Sequence, residues 1–156
     1  MGKGRSHVFS EILLHLNWHC LHDKPMIRPE IEPALHEFLR KYCAKVKGIH
    51  FKGSGSTEDH VHLAFQMEPF APLSDFIGQI KGACAHEMNG QFGPGAIKWQ
   101  RGYGIVSFSM RYLPGVLRYV ANQKEHHRLG TTNPTLEEHG EEEDEEPTED
   151  SGKDNG

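Results

Sequence analysis

No stretch of this chain approaches the ~18 consecutive apolar residues a membrane-spanning helix needs, which excludes an integral helical membrane protein. The first residues, MGKGRSHVFSEILLHLNWH, lack a long apolar segment followed by a small-residue cleavage site, so no signal peptide is expected. Cysteine is scarce. Cys20, Cys43 and Cys84 are odd in number and form no C-x-x-C pair, which argues against a disulfide framework or a structural zinc site and predicts free thiols in a reducing cytoplasm. Aromatic residues are only 9% and hydrophobic residues 36% of 156 positions, enough for one core and not for two substantial ones.

An overall basic excess is also missing, since the net charge is −5, but the charge is unevenly spread. From Thr135 onward acids outnumber the single base, Lys153, eleven to one, so the remainder of the chain is mildly basic. A basic body suits a polyanionic partner, although a solvated surface has the same composition. Residues 133–156 contain one apolar side chain, Leu136, too little to offset the entropy of ordering. They are expected to form a disordered acidic tail that keeps the protein soluble, following a single domain over residues 1–132.

Within that domain the pattern alternates. Over residues 8–19, Leu14, Leu16 and Trp18 fall on one face of a strand and His15, Asn17 and His19 on the other. Pro29-Glu30-Ile31-Glu32-Pro33 suits a helix start. Ile31, Leu35, Phe38, Leu39 and Tyr42 then recur at helical spacing up to Gly48. Residues 48–52 and 59–67 read as a strand hairpin around a flexible Gly53-Ser54-Gly55-Ser56 turn. A second helix follows Pro72, with Phe76, Ile77, Ile80, Ala83, Cys84 and Met88 as its apolar stripe. A fourth strand is expected over Tyr103–Ser109 and a last helix from Leu113 to about His127. The order is that of an α+β, ferredoxin-like β-α-β-β-α-β sandwich with an added C-terminal helix, its helices on one face of the sheet.

Two elements carry groups capable of chemistry. In Asp59-His60-Val61-His62-Leu63-Ala64-Phe65, a strand turns Val61, Leu63, Phe65 and Met67 into the core and projects His60 and His62 together from the other face. Two imidazoles so placed can bind one cation, or can be two surface histidines. Glu58 and Asp59 are either solvated or orient an imidazole. On the last helix Leu113, Val116, Leu117 and Val120 form the buried stripe, and Tyr119 and Gln123 stack four residues apart beside it. His126 extends that face and His127 borders it.

Three segments resemble the single-tyrosine HUH transposases of the smallest bacterial insertion sequences, among whose close relatives are the REP-associated tyrosine transposases. They are His60-Val61-His62 in its D-H-V-H-L setting, Trp99-Gln100-Arg101-Gly102-Tyr103-Gly104, and Tyr119-Val120-Ala121-Asn122-Gln123-Lys124-Glu125-His126-His127. The acidic tail has no part in the likeness. The resemblance implies an enzyme that cleaves and rejoins single-stranded DNA through a 5′-phosphotyrosine, with Tyr119 as nucleophile. It implies a divalent metal, Mg²⁺ or Mn²⁺, held by His60, His62 and Gln123. It further implies a homodimer acting on hairpin ends of a mobile element, in which the tyrosine helix of one subunit can serve the histidines of the other. Candidate cations for contact with DNA are Lys52, Lys81, Lys98, Arg101, Arg111 and Arg118, with Trp99 and Tyr103 as candidates for stacking on bases. Tyr112 is the alternative nucleophile, while Tyr42 belongs to the core. The competing readings are a non-catalytic single-stranded-DNA-binding module, an HUH replication initiator or relaxase, and a small metal-binding protein with no role at DNA.

Overall fold

The computed structural model describes residues 7–140. Four strands, β1 (Leu13–His19), β2 (Ile49–Ser56), β3 (His60–Met67) and β4 (Gly104–Phe108), form one sheet in the order β2-β3-β1-β4. Every neighbouring pair is antiparallel. With α1 (Glu32–Lys45) and α2 (Leu73–Phe92), this is the expected ferredoxin-like arrangement.

The core faces of the strands are those the alternation predicts. Leu14, Leu16 and Trp18 of β1 and Val61, Leu63, Phe65 and Met67 of β3 join one buried cluster with Leu35, Leu39 and Cys43 of α1. Phe76, Ile77, Ile80, Cys84 and Met88 of α2 complete it. In α1 these side chains recur every four residues, so one stripe faces the sheet. The free thiols Cys20, Cys43 and Cys84 are all buried.

The opposite face of the sheet departs from expectation, because it is not left bare. The helix that begins at Leu113, α3 (Leu113–Ala121), lies across it and packs Val116 and Val120 on Ala64 of β3. Helices therefore cover both faces. The Gly53-Ser54-Gly55-Ser56 segment accordingly is no turn: it is the second half of β2, paired with β3, and the connection falls at Thr57–Asp59. Its glycines serve close approach. A Cβ on Gly55 would sit 1.7 Å from the carbonyl oxygen of Val120, so only glycine lets α3 settle this near to the strand.

The helix expected to run unbroken to His127 is interrupted at Asn122 (φ −109°, ψ 31°) and resumes as α4 (Gln123–Leu129). The Asn122 side-chain amide donates to the Arg118 carbonyl, the local competition with helix geometry that asparagine is suited to.

Beyond it, the stretch expected to be disordered from Asn133 is folded as far as residue 140. A short helix, α5 (Pro134–Glu137), starts at Asn133, whose side chain accepts from the backbone N–H groups of Thr135 and Leu136. Leu136 is buried, and Asn17 Nδ2 donates to the carbonyls of Leu136 and Glu138 at 2.9 Å. One apolar anchor and a capped turn suffice here because a groove already exists to receive them. The glycines flanking Tyr103 form its wall: a Cβ on Gly104 would lie 1.7 Å from the Glu138 carbonyl oxygen, and one on Gly102 1.9 Å from that of Gly140. The rest of the expected tail, residues 141–156, lies outside the described residues. Among those described, no helix is long and apolar enough to cross a membrane.

Candidate active site

The far face of the sheet carries the candidate site residues. The register of β1 and β3 sets Asn17 opposite His62 and His19 opposite His60. Both motif histidines point away from the apolar core, yet neither is a surface residue: His60 is 3% exposed and His62 fully buried. Helices α3, α4 and α5 supply the cover.

Each imidazole is aimed by a partner at its Nδ1. His60 Nδ1 lies 2.6 Å from Asp59 Oδ1 and 2.8 Å from Thr57 Oγ1. Asp59 thus takes the orienting role. His62 Nδ1 lies 2.7 Å from His15 Nε2, its diagonal neighbour on β1. Protons on both Nδ1 atoms would donate to these acceptors and leave the Nε2 lone pairs facing the site, the tautomer a metal ligand needs.

Helix α3 brings Tyr119 over the pair, with its ring 6.0 Å from that of His62. Tyr119 is buried, and its hydroxyl donates to Glu137 Oε1 at 2.6 Å while accepting from the Asn133 N–H at 2.9 Å. Four residues on, Gln123 is 1% exposed, and its Nε2 donates to the Tyr119 carbonyl. Its Oε1 is buried without a hydrogen bond, as are Nε2 of His60 and of His62.

Glu137 is the residue that the sequence patterns did not reveal. Its Oε2 is 3.2 Å from His60 Nε2, and its Oε1 is 3.2 Å from His62 Nε2 and 3.3 Å from His127 Nε2. Ligand atoms of His60, His62, His127 and Glu137 all lie within 4.8 Å of one another, a grouping able to hold a metal ion. The local signal for it was the Asn133-Pro134 helix start followed by Leu136. In a run dominated by acids that signal was overwhelmed by composition. His15 was equally visible on the polar face of β1, but only the strand register puts it beside His62.

The electrostatics follow from burial and from that carboxylate. Burial pulls His60 down, but its bond to Asp59 and the Glu137 carboxylate facing Nε2 outweigh this and hold it raised to about 9. Burial keeps His62 below the ordinary imidazole value despite Glu137, and burial with the neighbouring His62 lowers His15 to about 3. Burial tends to raise Glu137, yet the facing imidazoles of His60 and His62 hold it well below the usual carboxylate range. For Tyr119, burial and then the Glu137 carboxylate push the phenol up to about 12. A carboxylate and two imidazoles therefore surround the phenol.

The remaining predicted residues are placed unevenly. Lys81, expected to meet DNA, is buried and donates to the backbone carbonyls of Gln100, Arg101 and Gly102, which takes its charge into the fold. Trp99 packs edge-on against Trp18 and donates Nε1 to the Lys81 carbonyl, so much of its ring is spent on packing. Lys98, Arg101, Arg111 and Arg118 are exposed and Lys52 is half-buried. Tyr103 is 36% exposed, with the Lys81 ammonium 6.0 Å from its ring centre. Tyr112 is 57% exposed beside Arg111, and Tyr42 stacks on Phe38 at the core edge.

A ferredoxin-like sheet whose far face joins an H-x-H strand to a helix-borne tyrosine defines the transposase class that the motifs resemble. The model of the family "Transposase IS200 like" matches residues 8–123, and the chain belongs to that family. The transposase for insertion sequence element IS200 of Salmonella typhimurium is 26% identical over 132 residues, 76% of this chain and 86% of its own length. Its Salmonella typhi counterpart matches equally. Among solved structures, a candidate transposase from Deinococcus radiodurans superposes with a TM-score of 0.60 at 26% identity, covering 79% of this chain and 98% of the other. A REP-associated tyrosine transposase bound to a REP hairpin shares the fold, with a TM-score of 0.57 at 12% identity over 81% of this chain and 74% of the other. The protein is accordingly a transposase, a DNA strand transferase by family.

Proposed function

We propose that this transposase cuts and rejoins single-stranded DNA with Tyr119 as nucleophile and a divalent ion, Mg²⁺ or Mn²⁺, at His60, His62 and Gln123. The observation that carries the reading is the gathering of a buried tyrosine, its ring 6.0 Å from that of His62, with two buried imidazoles whose Nε2 atoms make no hydrogen bond. Gln123 Oε1 is likewise buried and unpartnered. A buried carboxamide oxygen without a partner is costly unless something binds it, and two imidazoles with a carboxamide oxygen suit a divalent cation. When bound, such an ion polarises the scissile phosphate and stabilises the charge that develops on it.

The chain's own groups account for the rest. The Tyr119 oxygen attacks phosphorus, its bond to phosphorus forms, and the bond from phosphorus to the 3′-oxygen breaks. The products are a 5′-phosphotyrosine and a strand ending in a 3′-hydroxyl, the departing oxygen taking up one proton. The phenolic proton is lost from an atom that already donates to Glu137 Oε1. A second 3′-hydroxyl reverses the step on the phosphotyrosine, so strands are joined without a nucleotide cofactor.

The relative bound to a REP hairpin makes structured single strands the first substrates to test, with the hairpin ends of a mobile element as the expected target. The exposed Lys98, Arg101 and Arg118 are the cations expected to meet the backbone, with Tyr103 as the stacking aromatic. A homodimer is the assembly expected from the family. Tyr119 stands over the histidines of its own chain, so such a dimer would carry two complete sites without exchanging helices.

The test is incubation with single-stranded oligonucleotides from the DNA flanking the gene, with Mn²⁺ and with or without chelator. A denaturant-resistant protein–DNA band is expected with the metal and not with chelator. A mobility shift that never yields such a band would instead mark a non-catalytic binding module.

A further inference from the structure

We propose that Glu137 is a further ligand of the divalent ion, so that the short helix α5 is part of the metal site. This rests on the reading above that His60 and His62 hold that ion.

Three observations carry it. The first is spacing. Glu137 oxygens stand 3.2 Å from Nε2 of His60 and of His62, but neither nitrogen makes a hydrogen bond. Two ligands about 2.1 Å from one ion and at right angles lie about 3.0 Å apart, and at a tetrahedral angle somewhat farther. The separations match edges of a coordination shell, with donors facing a common centre rather than each other.

The second is anchoring. Glu137 does not reach the site on a loose chain. Leu136 beside it is buried, and the carbonyls on either side, of Leu136 and Glu138, are both held by Asn17 Nδ2. Asn17 is itself the β1 residue paired with His62, so one strand position sets both the histidine and the segment carrying the carboxylate. The Gly140 N–H donates to the Tyr103 carbonyl and fastens the far end.

The third is chemistry. Two imidazoles and a carboxamide are neutral, and ions such as Mg²⁺ and Mn²⁺ prefer anionic oxygen. The carboxylate of Glu137, 18% exposed and facing the imidazoles, supplies that charge. Its Oε1 keeps a lone pair for the Tyr119 hydroxyl, which ties nucleophile and ion site through one side chain.

The test is a titration of the full chain with Mn²⁺ alone, reading free ion by its electron paramagnetic resonance signal and scoring the tight class of sites apart from weak binding to the acidic segment. Glu137→Gln, nearly isosteric, and Glu137→Ala should each weaken tight binding about tenfold or more. The double variant His60→Ala/His62→Ala should abolish it. Unchanged or tighter binding in both Glu137 variants, with loss in the double histidine variant, would overturn the assignment of Glu137 and leave the histidine site standing. Tight binding that survives in the double histidine variant would overturn that underlying reading as well.

Discussion

The Tyr119 hydroxyl donates to Glu137 Oε1 at 2.6 Å across 18 residues of chain, and the same oxygen lies 3.2 Å from His62 Nε2. The proposed nucleophile, a motif histidine and the C-terminal helix therefore form one unit. The burial and carboxylate that push this phenol up also mean that phenolate is scarce near neutrality, so activation has to come from groups acting at the site.

Tyr119→Phe should abolish the covalent DNA adduct. It should also lower unfolding stability by about 1–2 kcal/mol, since Glu137 loses a donor and the Asn133 N–H an acceptor. Denaturing gels and urea unfolding measure the two effects. An adduct that persists in Tyr119→Phe and vanishes in Tyr112→Phe would move the nucleophile to Tyr112.

Asp59→Asn tests how His60 is oriented. The carboxylate 2.6 Å from His60 Nδ1 fixes the ring and raises its basicity. Its loss should weaken Mn²⁺ binding about tenfold, with little change in far-ultraviolet circular dichroism. Binding equal to that of the unaltered protein would mean that Thr57 alone positions the ring.

Gly55→Ala tests the seat of the tyrosine helix. The added Cβ would meet the Val120 carbonyl oxygen at 1.7 Å, and neither backbone can yield without displacing α3. Destabilisation of about 3 kcal/mol is expected by urea unfolding. Gly115→Ala, within α3 and with its nearest neighbour 3.8 Å away, should instead stabilise by about 0.5 kcal/mol.

His36 gives the fold a pH dependence separate from the proposed metal site. Its Nδ1 and Nε2 meet the hydroxyls of Ser54 and Ser56 at 2.7 and 2.8 Å. Burial lowers it below the ordinary 6.5, outweighing the opposing effect of Glu32. The folded state therefore favours the neutral ring. The stability it contributes is present above the unfolded value and is lost as pH falls from 6.5 toward the folded value. Unfolding followed from about pH 7.5 to about pH 5.5 should show a smaller loss in His36→Gln than in the unaltered protein. Identical losses would assign the dependence to other histidines.

The parts of the fold legible in the sequence were those written as local periodicity. Leu14/Leu16/Trp18 and Val61/Leu63/Phe65/Met67 alternate because strands do, and these residues do enter the core. His60, His62, Tyr119 and Gln123 were legible as motifs, and the fold gathers them on one side of the sheet. Local pattern misled where a residue answers to a distant neighbour. Gly53-Ser54-Gly55-Ser56 has the composition of a turn, yet its two glycines answer to α3, more than sixty residues on. Lys81 looked like a surface cation, but three carbonyls of the segment before β4 enclose its ammonium.

By itself the sequence determined which residues alternate, where helices start, and that paired imidazoles, a phenol and a carboxamide exist at motif spacing. These depend on neighbours a few positions apart, and backbone geometry repeats over that range. Only the tertiary structure decided that His15 aims His62, that both faces of the sheet are covered, and that a glutamate from an acid-rich segment stands among the histidines. Such contacts join positions far apart in the chain. They are selected by the shape of a groove and the cost of burying charge, quantities that exist only once the chain has folded.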